Sequence, residues 1–331
     1  MKKTVTIILI LIFTLTLLTG CGSKENSNPE EFVDKAETET SSSVEEVLDT
    51  DETETSSSAE EVLDTDKQHA DNSTDDSQQE VSANSFEYSY GVFLGLGPES
   101  MDKFKDYEIV VIDAQYFTKE QIDQLHTGGH KVYSYINVGS VEDFRSYYDK
   151  YEPYTLGDYE NWDEERWVDV SNKEWKNFVL NDLAPSILDK GVDGLFVDNI
   201  DVYYFYQRDD IYNGLTEILK GFKSLNTYVC INGGDTYIME YIARGGSFHD
   251  VADAVNQETV FSKILWDGDN FSRSSAEDRE YFKQYLESVA SNGGDVFLLE
   301  YSKDQELIEE IKTYCNKNNF RYYISSTLEL L

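Results

Sequence analysis

The sequence predicts an α/β fold, a (β/α)8 TIM barrel, that follows a signal peptide and an acidic linker. Eight short apolar runs rich in β-branched residues alternate with amphipathic stretches over residues 86–331. Strands and helices alternate in this way in parallel barrels. Several of the runs also end in acidic or amide residues. Such endings are expected where barrel strands open into a functional mouth.

Residues 1–20 predict a signal peptide. Lys2 and Lys3 precede an apolar run over 5–18, which leads into Leu18-Thr19-Gly20-Cys21. This pattern resembles the lipobox of bacterial lipoproteins. The resemblance implies cleavage before Cys21, a lipid on its sulfur and attachment to the extracellular face of a bacterial cell membrane. The alternative is an uncleaved signal anchor, although the run is short for a span of about 20 residues.

Residues 21–85 predict a disordered tether. The segment is dominated by Ser, Thr, Glu and Asp, and residues 37–51 are repeated at 52–66 with a single change, Ala59 for Val44. Such a composition buries too little apolar surface to offset the entropy lost on ordering. The segment should therefore hold the domain at 86–331 away from the membrane, and a binding repeat is the less favoured alternative.

The charge balance excludes some partners. Of the formal net charge of −38, −17 falls on residues 22–85 and −23 on residues 86–331, while the first two lysines add +2. Nucleic acid is excluded because its binding depends on cationic side chains. The membrane is expected as a partner only through the lipid anchor. A cationic ligand would be attracted, although solubility alone also explains the charge. We expect a monomer.

The elements follow in order along the chain. We predict strands at 90–94, 109–113, 131–137, 194–198, 228–232, 254–258, 296–301 and 321–325. Helices are predicted at 118–126, with Thr118 as the N-cap, and at 173–189, 214–225, 275–290 and 303–316. The long connection at 138–172 is rich in Tyr and Trp, which favours a loop over the mouth of the barrel.

Neither a metal nor a cofactor is expected. The His residues at 69, 126, 130 and 249 have no ligand spacing. The pairs Gly95/Gly97 and Gly233/Gly234 indicate turns at strand ends rather than a phosphate-binding loop. Cys230 and Cys315 are predicted to be free and buried, because so few cysteines do not form a disulfide framework.

Two carboxylates stand at the ends of two predicted strands. Asp198 ends the run 194–198, and Glu258 ends the run 254–258. A buried strand has no reason to finish on an unpaired charge, because desolvating that charge costs several kcal/mol. Two carboxylates facing each other across a barrel mouth are the groups that glycoside hydrolysis requires.

The segments 133–145, 165–172, 191–201 and 255–258 occur in the order and spacing seen in one known family. The chain resembles glycoside hydrolase family 114 over 88–325. Its characterised members act as endo-α-1,4-polygalactosaminidases on a (β/α)8 barrel. The resemblance implies a hydrolase that cuts an α-1,4-linked galactosamine or N-acetylgalactosamine exopolysaccharide, cationic or neutral, such as a biofilm contains.

We assign hypothetical roles to the two carboxylates. A short, well-hydrogen-bonded Asp198 should stay ionised and act as the nucleophile of a retaining mechanism. Glu258 lies among apolar residues, which should raise its pKa so that it serves as acid and base. Carboxyl groups about 5–5.5 Å apart favour retention, whereas about 6.5–9.5 Å favours inversion.

Further residues at strand ends are expected to bind substrate. Acidic groups would pair with the ammonium of a de-N-acetylated sugar, rings would stack on sugar faces, and amides would bind hydroxyls. The alternative for each is a helix cap, a salt bridge or core packing. The candidates are Asp113, Asp201 and Glu300; Tyr116, Tyr135, Tyr203, Trp266 and Tyr301; and Asn137, Asn199 and Asn232.

Three other functions stay open at this stage. The first is a catalytically inactive polysaccharide-binding surface lipoprotein. The second is a glycosidase on another glycan, such as an α-galactosidase or a peptidoglycan-directed enzyme. The third is a structural surface protein, which the polar strand ends disfavour, because they destabilise a fold unless they serve a function.

Overall fold

The computed structural model describes residues 86–160, 162–266, 268 and 270–331. The predicted signal peptide, Cys21 and the tether lie outside the described residues. No helix within those ranges is both long and apolar enough to cross a membrane.

Strands and helices alternate as the sequence predicts. The strands are β1 (Tyr88–Val92), β2 (Tyr107–Ile112), β3 (Lys131–Asn137), β4 (Ser140–Glu142), β5 (Thr155–Asp158), β6 (Glu165–Val168), β7 (Gly194–Asp198), β8 (Tyr228–Asn232), β9 (Ala254–Glu258), β10 (Ser262–Leu265), β11 (Asn270–Arg273), β12 (Asp295–Tyr301) and β13 (Arg321–Ser325). The helices are α1 (Lys119–Thr127), α2 (Tyr148–Tyr151), α3 (Lys173–Phe178), α4 (Ala184–Leu188), α5 (Val202–Phe205), α6 (Asp209–Ser224), α7 (Asp235–Ala243), α8 (Ala276–Ser291) and α9 (Gln305–Asn318).

Eight of the strands form one parallel sheet in the order β1-β2-β3-β7-β8-β9-β12-β13. The first and last strands of this sheet, β1 and β13, lie against each other, so the sheet curls into a nearly closed barrel. All the carboxyl ends therefore point to one rim, as expected for a (β/α)8 TIM barrel. The predicted fold class is confirmed.

Aromatic rings fill much of the barrel interior. Side chains alternate between the two faces of a strand, so every second residue points inward. Tyr133 and Tyr228 stack with ring centroids 5.0 Å apart, and Tyr90 packs on Phe297 with centroids 4.7 Å apart. Gly194 makes room for this layer, because a Cβ there would lie 2.9 Å from the Tyr133 ring.

The predicted helices form, with shifted bounds. Thr118 caps α1 in a capping box with Gln121, and Ser275 caps α8. The single helix predicted at 173–189 is broken by a π-helical turn at Val179–Leu183, between α3 and α4. Pro185 follows this turn and has no N–H to donate to the preceding turn, which accounts for the local change in hydrogen bonding.

The connection at 138–172 carries secondary structure that the sequence did not reveal. It contains a three-stranded antiparallel sheet in the order β4-β6-β5, in which Ser140 faces Trp167. The hairpin of β10 with β11 and helix α7 were also not predicted. Cys230 and Cys315 are free and buried, as predicted, and burial raises the pKa of both thiols.

Candidate active site

Three neighbouring strands deliver the central polar residues of the barrel mouth. Asp198, Asn232 and Glu258 are the last residues of β7, β8 and β9, which are adjacent in the sheet. Because parallel strands end at one rim, these side chains meet above the aromatic interior. The structure therefore brings the two predicted catalytic carboxylates together.

Asn232 links the two carboxylates directly. Its Nδ2 lies 2.8 Å from Asp198 Oδ1 and 2.8 Å from Glu258 Oε1, and it donates to both. The two oxygens can be separated by at most twice that distance. This limit falls near the spacing of about 5–5.5 Å in retaining enzymes and below the roughly 6.5–9.5 Å of inverting ones.

Asp198 is more strongly desolvated than the sequence suggests. It is 0% exposed, and its Oδ2 has no hydrogen-bond partner within the described residues. Burial raises the pKa of Asp198 to about 7, while hydrogen bonds from Asn232 and from the Asn199 backbone act in the opposite direction. The sequence predicted an ionised carboxylate, and burial instead brings its titration to neutral pH.

Glu258 has the raised pKa that the sequence predicts. Burial raises its pKa to about 8, the charge of Asp198 adds to this, and the bonds from Asn232 and Tyr301 oppose it. The Tyr301 hydroxyl donates to Glu258 Oε2 over 2.9 Å. Both carboxyls therefore titrate near neutral pH as an interacting pair.

Two residues that sequence reasoning missed hold the linking amide in place. Asn256 Nδ2 donates to Asn232 Oδ1 over 2.7 Å, and the Tyr90 hydroxyl donates to Asn256 Oδ1 over 3.0 Å. This chain fixes the orientation of the Asn232 amide, so that its N–H groups face the carboxylates. Strand alternation provided a signal, since Asn256 shares a face with Glu258.

Asp113 does not have a carboxylate free for substrate. Arg145 binds it over 2.8 Å and binds Glu142 over 2.9 Å. The Tyr135 hydroxyl donates to the same Glu142 oxygen over 3.0 Å. The prediction that Asp113 meets a substrate ammonium is corrected, because a buried guanidinium already occupies it. Tyr116 is 44% exposed, at the edge of this cluster, with its ring centroid 5.8 Å from Arg145 Cζ.

Asn137 and Asn199 support the loop above the rim rather than opening toward substrate. Both atoms of the Asn137 amide bond to Ser140. Asn199 takes a left-handed backbone with φ of 63° and donates to Ser140 and Glu165. Burial, followed by the charge of Glu142, raises the pKa of Glu165 well above its usual range.

Asp201 stays near the mouth beside another acid. Both of its oxygens accept from the Gly234 backbone, each over 3.3 Å. Burial, followed by the charge of Asp235, raises the pKa of Asp201 well above its usual range. Asp235 accepts from the Tyr281 hydroxyl. Asp201 therefore remains a candidate for substrate contact.

Tyr203, which the sequence predicts to bind substrate, is engaged by residues of neighbouring helices. Tyr203 packs against Tyr212 and Tyr237, and its hydroxyl donates to Glu240 over 2.7 Å. It therefore belongs to the packing between helices.

Glu300 accepts from the backbone N–H groups of Phe261 and Ser262, each over 2.9 Å. It points away from the face that carries Tyr301 and holds the turn after β9. Its predicted role in ammonium binding is corrected.

Trp266, between β10 and β11, meets a tryptophan of the connection at 138–172. Trp266 is 41% exposed and meets Trp162 edge-on, with ring centroids 5.5 Å apart. The Tyr159 hydroxyl donates to Asn199 Oδ1 over 3.0 Å. Glu258 is only 2% exposed and Asp198 is fully buried.

No group of three or more His, Cys, Asp or Glu side chains in the described ranges is arranged to hold a metal ion. The chemistry available at the mouth is that of two hydrogen-bonded carboxyl groups with neighbouring phenols and amides.

Solved structures of other proteins share this fold. The glycoside hydrolase domain of PelA from Pseudomonas aeruginosa has the same fold, with a TM-score of 0.61, 16% identity, and coverage of 73% of this chain and 96% of that one. Aspergillus fumigatus Ega3, solved in complex with galactosamine, gives a TM-score of 0.55 at 20% identity, with 75% of this chain and 93% of that one covered.

A curated relative, the uncharacterised protein MJ1477 of Methanocaldococcus jannaschii, is 23% identical over 229 residues, or 63% of this chain. The match spans 64% of that relative's own length. The model of glycoside-hydrolase family GH114 matches residues 66–328. Since this match takes in the described barrel and its paired carboxylates, the chain belongs to glycoside hydrolase family GH114.

Proposed function

We propose that the protein hydrolyses glycosidic bonds in a galactosamine-containing polysaccharide, with retention of anomeric configuration. The observation that carries this proposal is the sharing of one amide nitrogen, Asn232 Nδ2, by Asp198 and Glu258 at 2.8 Å each. It holds two carboxyls at a separation suited to attack on one side of a linkage and proton delivery on the other. Membership of the family supports the reaction class.

In the first step Asp198 Oδ2 attacks the anomeric carbon while Glu258 donates its proton to the leaving oxygen. The glycosidic C–O bond breaks, and an ester bond forms between Asp198 and the sugar. The lack of a hydrogen-bond partner for Oδ2 among the described residues and the raised pKa of Glu258 support these assignments. With its proton gone, Glu258 then takes a proton from water, which attacks the ester and releases the sugar.

A partly or fully de-N-acetylated polymer is the substrate that the charge favours. The formal charge of −23 on residues 86–331 would concentrate a cationic polymer near the mouth. The galactosamine bound in Ega3 is consistent with this substrate class. Among the predicted acids, Asp201 keeps a weakly bonded carboxyl that could meet the polymer.

Digestion of a galactosamine-rich polymer, followed by mass analysis of the fragments, tests the proposal. The wild type should release oligosaccharides, and Asp198→Asn and Glu258→Gln should each lose at least about 10³-fold in rate. Glu280→Gln, which changes an exposed carboxylate on α8, serves as the matched control and should keep full activity. Release of fragments from another glycan only would support the alternative glycosidase, and binding without cleavage would support the inactive binding protein.

We further propose that the domain is lipid-anchored at Cys21 on the extracellular face of the bacterial cell membrane. The sequence Leu18-Thr19-Gly20-Cys21 after an apolar run supports this. Metabolic labelling with a palmitate analogue should mark the wild type and leave Cys21→Ala unmarked. Equal labelling of both proteins would contradict the anchor.

A further inference from the structure

Tyr90 ends a buried chain of hydrogen bonds that leads to the two carboxyls of the site. Its hydroxyl donates to Asn256 Oδ1 over 3.0 Å, and Asn256 Nδ2 donates to Asn232 Oδ1 over 2.7 Å. Asn232 Nδ2 then donates to Asp198 and Glu258. The first three residues are each at most 2% exposed, so every polar atom of the chain needs a partner within the protein.

The two amides in this chain could each fill the same space in a second orientation. The C=O and NH2 ends of an asparagine side chain are nearly equal in shape, but one accepts hydrogen bonds and the other donates them. With both amides turned over, Asn232 would present its carbonyl oxygen to Asp198 and Glu258 and would repel them once they ionise. The direction of the chain therefore affects the charge of both carboxyls.

The Tyr90 hydroxyl favours one direction. Within the described residues, the hydrogen-bond acceptor for its proton is Asn256 Oδ1. Burial raises the pKa of Tyr90 well above its ordinary value, so the phenol keeps that proton. In the reversed chain Asn256 would donate to the phenol oxygen, and the phenol proton would lose this acceptor. A buried donor without a partner is unfavourable, so the observed direction is the stable one.

Tyr90 exerts this effect from a distant strand. It stands on β1, the first strand in the sheet order, whereas Asn256 stands on β9, the sixth. The Tyr90 ring is held by its packing on Phe297, and its hydroxyl alone contacts the chain. Tyr90→Phe therefore removes the donor and keeps the ring.

We propose that Tyr90 is a positioning residue for the reaction, because its hydroxyl sets the direction of the chain through Asn256 and so turns the N–H groups of Asn232 toward the carboxyls. This inference rests on the proposed function, to which it adds a residue that acts through others. The hydrogen bond from Asn232 opposes the rise in the pKa of Asp198 and of Glu258. Without the phenol proton the amides can reverse and this bond is lost, so both pKa values should rise further.

Other titratable groups lie within electrostatic range of the pair, and Tyr90→Phe leaves all of them in place. They are the acids Glu142, Glu165, Asp201 and Glu300 and the phenols Tyr135, Tyr159 and Tyr301. Those around Tyr90 itself are Cys230, Tyr133, Tyr228 and Glu258.

The test compares Tyr90→Phe with Tyr228→Phe, which removes a phenol bonded to Asp295 over 2.7 Å at the amino ends of β8 and β12. In Tyr90→Phe the acidic limb of the pH profile of kcat/KM should move up by about 0.5–1 pH unit, and kcat should fall by about tenfold. Tyr228→Phe should lower stability and keep the wild-type profile and rate.

Asn256→Ala shows whether Tyr90 acts through the chain. It should move the acidic limb at least as far as Tyr90→Phe does, and adding Tyr90→Phe to it should produce no further shift. A Tyr90→Phe profile equal to that of the wild type, or shifts that add in the double variant, would overturn the role of Tyr90. If Tyr90→Phe does not fold, an unchanged limb in Asn256→Ala overturns it instead.

A readout without turnover separates this role from the proposed hydrolysis. The carboxyl-carbon NMR resonances of Asp198 and Glu258, assigned with Asp198→Asn and Glu258→Gln, report both titrations directly. Their midpoints should rise in Tyr90→Phe and stay in place in Tyr228→Phe. A wild type that cuts no polymer while Tyr90→Phe shows this rise would refute the hydrolysis and keep the role of Tyr90. An active wild type with unmoved midpoints in Tyr90→Phe would refute the role alone.

Discussion

Asp198 and Glu258, on adjacent strands of the barrel, accept hydrogen bonds from the same nitrogen, Asn232 Nδ2, at 2.8 Å each. This arrangement makes their titrations interdependent, because one amide lowers the pKa of both. It also fixes their spacing. The predictions that follow depend on this shared donor.

Removal of the shared donor should impair catalysis and raise both pKa values. In Asn232→Ala we expect kcat to fall by about 10²–10³-fold, as when one preorganised donor is lost. The acidic limb of the pH profile should move to higher pH, because Asp198 loses a bond that favours its ionised form. Asn137→Ala, at a buried amide that bonds to Ser140, should lower stability and leave the profile in place.

The pH dependence of kcat/KM should be a narrow bell. Activity rises as Asp198, with a pKa of about 7, ionises, and falls as Glu258, with a pKa of about 8, loses its proton. The two apparent values belong to the pair rather than to either residue alone. Initial rates from pH 5 to 10 check this, and activity that stays flat across that range would be incompatible with the assigned roles.

The free energy of unfolding should fall as pH rises from about 4 to 8. The ordinary pKa values of Asp198 and Glu258 are 3.8 and 4.5, and both are raised in the folded protein. The folded state therefore binds more protons than the unfolded state between about pH 4 and 8, so the free energy of unfolding decreases with pH there.

Asp198→Asn removes one of these groups and should be more stable than the wild type at pH 8, by roughly 2–4 kcal/mol at most. The two proteins should differ less at pH 5. Thermal unfolding measured at both values checks this, and a wild type that gains stability between pH 5 and 8 relative to Asp198→Asn would refute it.

The Tyr301 hydroxyl should lower the pKa of Glu258, the proposed general acid. Tyr301→Phe removes the bond to Glu258 Oε2 that favours the ionised form, so the pKa of Glu258 should rise and the alkaline limb should move to higher pH. We expect kcat to fall several-fold up to about 100-fold. Tyr203→Phe, whose hydroxyl bonds to Glu240 among the helices, is the control and should leave the profile unchanged.

Much of the barrel could be predicted from sequence because its strands are buried on both faces. The segments Lys131–Asn137, Gly194–Asp198, Tyr228–Asn232, Ala254–Glu258 and Arg321–Ser325 have the predicted bounds. Each is an apolar run that ends in a polar residue. In a parallel barrel these polar residues all lie at one rim. The convergence of Asp198 with Glu258 follows from that topology.

The fine roles of the site residues could not be predicted, because they depend on contacts across the chain. The pairing of Asp113 with Arg145 joins residues 32 positions apart. Asn199 bonds to Ser140 and Glu165 of the loop sheet β4-β6-β5, whose short strands carry no clear periodicity. Glu300 is the exception: strand alternation shows that it and Tyr301 cannot both face the barrel interior.

The order in which product anomers form tests the account most directly. Proton NMR spectra recorded in the first minutes of digestion of an α-linked galactosamine polymer reveal the anomer released before mutarotation. If Asp198 and Glu258 act as nucleophile and acid/base, the α-anomer should appear first, and Asp198→Asn should release none. Initial release of the β-anomer, or equal release by Asp198→Asn, would contradict the account.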